Sequence, residues 1–189
     1  RNAIPFLAGL FVLFFSFSSC IEEQSATTFV PGSDTESENA QGTMFYRGVE
    51  STLVAAYDMN GSVSNPTNGA MNQATIILAN ANMMGPNNRL TQTADVLILN
   101  VIKDGSEISG TYRPTDWNAP DENAQFFSNI CTGMNFATGA MLDDEGMEGG
   151  EATITENEDG TLTIDFSFVT FDNRTVAGSW SGELTTATY

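Results

Sequence analysis

The sequence predicts an all-β domain, an antiparallel barrel or sandwich of about eight to ten strands, following an export segment and a polar tether. Three observations carry this. Leu162, Ile164, Phe166 and Phe168 alternate strictly with Thr161, Thr163, Asp165 and Ser167, which is the period of a half-buried strand. Turn-forming pairs recur between apolar runs: Asn60-Gly61, Asp104-Gly105 and Asp159-Gly160. No stretch keeps a helical period beyond one or two turns.

The chain opens with Arg1 and an apolar run, Ile4 to Phe17. A bilayer span needs about 20 apolar residues, so this run suits the core of a secretory signal peptide. Ser18 and Ser19 lead into Cys20, and the chain turns acidic at once with Glu22-Glu23. Small residues ending in a cysteine beside an apolar run resemble the lipobox of bacterial lipoproteins, with Phe17 where Leu is usual. That resemblance implies cleavage before Cys20, acylation of its thiol and new amine, and a membrane anchor at that residue. Residues 1–19 are then the signal peptide. Residues 20–42 carry the lipid and form an acidic, Ser/Thr-rich tether with too little apolar area to offset its ordering entropy. Residues 43–189 form a single domain.

Within that domain, Met44–Val49 is a first short strand, with Gly48 at a bend. Leu53, Ala55, Tyr57 and Met59 place apolar groups on alternate positions of a second, ended by Asn60-Gly61. Ala74–Ala79 holds a short continuous apolar run, Ile76-Ile77-Leu78, and Val96–Ile102 is apolar on both faces except Asn100, as in a central strand or one facing a core and a neighbouring element. Lys103-Asp104-Gly105 predicts a hairpin that returns as Glu107–Arg113. Pro114–Asn123 is an irregular loop, Gln125–Cys131 a strand, and Thr132–Gly149 a Gly- and Met-rich stretch that turns acidic. Residues 152–184 predict a three-stranded meander, turning at Asn157–Gly160 and Phe171–Arg174. Val176, Trp180 and Leu184 share a face with Gly178 and Gly182, which leaves room for a close neighbour or strong curvature.

Ile108–Pro114, Gly178–Leu184 and the hairpin Leu162–Asp172, taken with the lipobox, resemble small β-rich lipoproteins of Bacteroidota, often described as calycin-like or lipocalin-like. The resemblance spans about residues 43–184 and implies a barrel or sandwich at the outer membrane, facing the periplasm or the cell surface. Acids directly after the lipid-bearing cysteine are compatible with surface export in that group. No catalytic residue follows from the resemblance.

With 24 acidic and 6 basic residues the chain carries a formal charge of −18. Phosphate contacts need clustered Lys and Arg, so nucleic acid is excluded as a partner. The absence of His excludes Ser-His-Asp and Cys-His catalysis and His-based zinc sites. Paired carboxylates could still hydrolyse a glycoside, with Asp116, Asp121 and Glu122 as candidates. Asp143, Asp144, Glu145 and Glu148, among glycines, could supply oxygens to Ca²⁺, although their spacing is not that of an EF-hand loop. Solvated acidic surface is the simpler expectation for these groups. Tyr112, Arg113 and Trp117 could form an aromatic platform for a sugar ring or a partner segment. The simpler expectation is that Tyr112 and Trp117 cover the end of the core. If Cys20 carries lipid, Cys131 has no partner for a disulfide, and among Phe126, Phe127 and Ile130 it reads as a packed thiol. The expectation is therefore a non-enzymatic binding or accessory lipoprotein without a cofactor. Its partner would be a glycan, a small apolar molecule or an envelope protein. A purely structural envelope component is the alternative.

Overall fold

The computed structural model describes residues 41–63, 72–103, 107–114 and 125–188. Cys20 and Asp116, Trp117, Asp121 and Glu122 lie outside them. The described residues belong to one compact unit, Glu36–Tyr189. They form eleven strands: β1 (Gly42–Tyr46), β2 (Val49–Leu53), β3 (Ala55–Met59), β4 (Asn72–Ala79), β5 (Thr93–Lys103), β6 (Gly110–Pro114), β7 (Gln125–Asn135), β8 (Asp143–Glu156), β9 (Leu162–Thr170), β10 (Thr175–Gly182) and β11 (Thr185–Ala187). All join one sheet in the order β11-β3-β4-β5-β7-β6-β8-β9-β10-β1-β2. The pairing is antiparallel except at β11–β3 and β6–β7. The outermost strands, β2 and β11, are not paired to each other, so the sheet does not close into a barrel.

The sheet nevertheless curls around one core. β1 to β10 all contribute to a single buried cluster, from Met44 and Leu53 through Ile76, Leu99 and Tyr112 to Ile154, Phe168 and Trp180. One residue, Val54, separates β2 at one end of the sheet from β3 near the other. At that step the chain changes partners: Gln41 N–H bonds to Leu53 C=O at 3.0 Å and Val54 N–H to Ala79 C=O at 2.9 Å. The step also reverses the faces. The alternating strand expected over Leu53–Met59 is corrected: Ala55, Tyr57 and Met59 face a second apolar cluster, while Leu53, at the end of β2, and Ala56 face the first, so β3 is buried on both sides. The second cluster lies on the other face of β3, β4, β5 and β7 and takes in Met83, Leu90 and Ala187. This explains why β4 and β5 are apolar on both faces.

The meander β8-β9-β10 forms as expected, and β9 alternates buried and exposed along its whole length. A further expectation is corrected. Glu107–Arg113 does not return beside β5, because both edges of β5 are taken by β4 and β7; β6 instead lies between β7 and β8. The acidic stretch Thr132–Gly149, given no element from the sequence, is the end of β7, a turn over residues 136–142 and the first half of β8. β8 pairs with β7 up to Gly146, with β9 from Met147 on through a bulge between Met147 and Gly149, and with β6 at Ala152–Ile154. The extra residue moves the buried positions from Glu145 and Met147 to Ala152 and Ile154, from odd to even, which hides the strand period. Gly150, at φ 100°, lets the strand bend there.

Candidate functional site

The two ends of the curled sheet differ. One gathers the turns β1–β2 and β9–β10 and the start of β8. Arg47 and Gly48 both have positive φ, the geometry of a tight hairpin turn. That turn carries the Arg47 guanidinium 5.0 Å from the centre of the Tyr46 ring and 2.5 Å from Glu145 Oε1. Arg174, from the β9–β10 turn, reaches the same Glu145 oxygen, and Asp143 also pairs with Arg47. Glu145 is buried, and Oε2 makes no hydrogen bond of good geometry. Burial pushes its carboxyl up. The Arg47 hydrogen bond, the Thr170 and Tyr46 hydroxyls and the Arg174 charge outweigh that and hold its pKa below the usual carboxylate value.

The opposite end holds a cavity of about 450 Å³. Its walls come from separate segments: Asp58 of β3, Val63 after it, Ile108 before β6, Glu156 and Leu162 flanking the β8–β9 turn with Gly160, then Glu183, Leu184 and Thr186. Ile108 and Leu162 are buried and make an apolar floor; Glu156, Glu183 and Thr186 are exposed at the rim. Asn60 and Gly61, both at positive φ, turn the chain back so that Asp58 Oδ1 accepts bonds from Ser62 Oγ at 3.1 Å and Val63 N–H at 2.9 Å. Ser62 Oγ in turn accepts from Thr75 N–H at 2.9 Å, tying the turn to β4. The buried Asp58 side chain is therefore held in one place.

Of the expected platform, Tyr112 and Arg113 point to opposite faces of their strand, and Trp117 lies outside the described residues. Tyr112 is buried in the main core, its hydroxyl donating to Ile108 C=O at 2.6 Å, and burial raises its pKa to about 12. Arg113, the next residue on the strand, points to the opposite, solvent face and pairs with Glu151 at 3.2 Å. The Ca²⁺ candidates diverge in the same way. Asp143 and Glu145 meet arginines, whereas Asp144 faces Asn129 and Cys131 on the other side of β8. Glu148 is exposed. Among the described residues no three acidic or Cys side chains are grouped to hold a metal ion. Cys131 is buried; burial first, then Asp144, pushes its thiol up to about 12, which leaves it protonated and unreactive.

Sequence reasoning singled out none of the three cavity acids. Asp58, Glu156 and Glu183 lie on distant segments, the first two beside ordinary turns and the third between β10 and β11, and only the sheet order brings them together. No protein-family model, curated protein or solved structure matches the chain.

Proposed function

We propose that the chain is a non-enzymatic binding module of the cell envelope, lipid-anchored at Cys20 to the outer membrane, that takes a small ligand at the cavity end of the sheet. The observation that supports binding is the cavity itself, with a buried apolar floor and a carboxylate fixed in its wall. Concave sites with a few placed polar groups are where small molecules bind. The anchoring half rests on the apolar run and Ser18-Ser19-Cys20. Acyl chains contribute about 0.8 kcal/mol per buried CH₂, and two or more hold stably. Cys20→Ser should move the protein from the membrane pellet to the soluble fraction in detergent-free fractionation. Retention of the variant in the pellet would sink the anchor.

One observation favours the structural alternative. Among the described strands the outer edge of β2 pairs with nothing, and such an edge can add a strand from another chain. Concentration-dependent self-association without any small-ligand binding would support that reading over the first.

A further inference from the structure

We infer that the cavity takes an organic cation with an aliphatic body, a compound of the alkyl-diamine class. The inference rests on the binding reading above and specifies its ligand. Among the described residues, nine line the cavity; three of them are acidic and none is Lys or Arg. A fatty acid or any other anion would meet like charge on entering. None of the described lining residues is aromatic, so these nine offer a sugar ring no stacking surface. The floor is aliphatic: Ile108 and Leu162 below, Val63 and Leu184 beside them. Methylene groups match that surface, and ammonium groups match the carboxylates at the wall and rim.

The cation is organic rather than a metal ion. A hard divalent ion needs six or more oxygens at about 2.0–2.6 Å, and the described acids do not group that way. Carboxylates spread over separate segments suit an extended molecule with donors at both ends. Asp58 presents a charge already held by Ser62 and Val63, so little ordering is needed on binding. The formal charge of −18 on the whole chain raises the local concentration of cations around the opening.

Calorimetric titration of the full chain at roughly 0.15 M salt tests this with three probes of equal length: 1,8-diaminooctane, 1,8-octanediol and octanedioate. The diamine should bind at least about tenfold more tightly than the diol, and the dioate should not bind. Asp58→Asn, which keeps the Oδ1 acceptor, and Glu183→Gln at the rim should each weaken diamine binding by about three- to tenfold, while Glu50→Gln on β2 should not. If the diol binds as tightly as the diamine, the cation inference falls and the binding reading stands. If none of the three binds, both fall. Equal weakening by Glu50→Gln would mean diffuse charge attraction and would also overturn the inference.

Discussion

Glu145 shows how one side chain ties distant parts of the chain together. It lies 98 residues from Arg47 and 29 from Arg174, and both guanidiniums meet on one of its oxygens. Its side chain is 8% exposed, whereas the two arginines are 38% and 40% exposed, so water screens one side of the network. Removing one member of a fully buried pair costs 3–5 kcal/mol; with that screening, Glu145→Gln should cost about 2 kcal/mol at neutral pH. The sign of the pH effect follows from the lowered pKa. The stabilisation is complete above the ordinary carboxyl value and is lost as pH falls through the lower folded value. Urea denaturation of wild type and Glu145→Gln should therefore give stabilities that differ at pH 7 and converge at acid pH. A constant gap down to about pH 2, well below the ordinary carboxyl pKa, would refute the assignment. At this scale the sequence showed the acids and the few basic residues, not which of them meet.

On the scale of elements, local pattern and tertiary context divide the strands. β9 is legible from its alternation alone, since it is half-buried along its whole length. β8 is not, because its bulge shifts the buried face midway and its first half spends acids on Arg47 and Arg174. Tyr112 is legible as a residue of the core end, but its strand lies between β7 and β8 and not beside β5. A turn signal at Asp104-Gly105 says that the chain reverses, not that the returning strand pairs where it lands. Gly178 is the clearest gain from pattern to packing. The open space expected there is filled: a Cβ at this position would lie 2.8 Å from the Phe166 ring and 3.0 Å from Met44 Cα, besides meeting the Thr43 carbonyl. Gly178→Ala should therefore push β1 away from β10 and destabilise the protein by about 1–3 kcal/mol. Loss of amide protection confined to β1 and β10, with a lowered denaturation midpoint, is the expected readout; an unchanged midpoint would show that β1 adjusts freely.

Across the whole molecule, the main core joins every strand from β1 to β10, including β3, β4, β5 and β7, whose other face carries the second cluster. Unfolding should be a single cooperative transition. Far-ultraviolet circular dichroism and tryptophan fluorescence should report coincident midpoints, the latter through the buried Trp180. Separated midpoints would mean that the second apolar cluster, on the outer side of β3, β4, β5 and β7, holds a unit of its own. The ends of the molecule divide the charge: the described arginines Arg47 and Arg174 neutralise acids at one end, while the cavity end keeps Asp58, Glu156 and Glu183 with no basic residue among its described lining.

The sequence by itself determined the class of the fold, the period and direction of β9 and β10, the turns that punctuate them, and the acidic surface. These follow from side-chain polarity read along neighbours, and strands and turns are specified locally. The tertiary structure alone decided the strand order, the open but curled sheet, the Glu145 network and the cavity. Each joins residues far apart in the chain. Alternation tells a strand which face to bury, but leaves open which strand lies beside it and which turns meet at its ends.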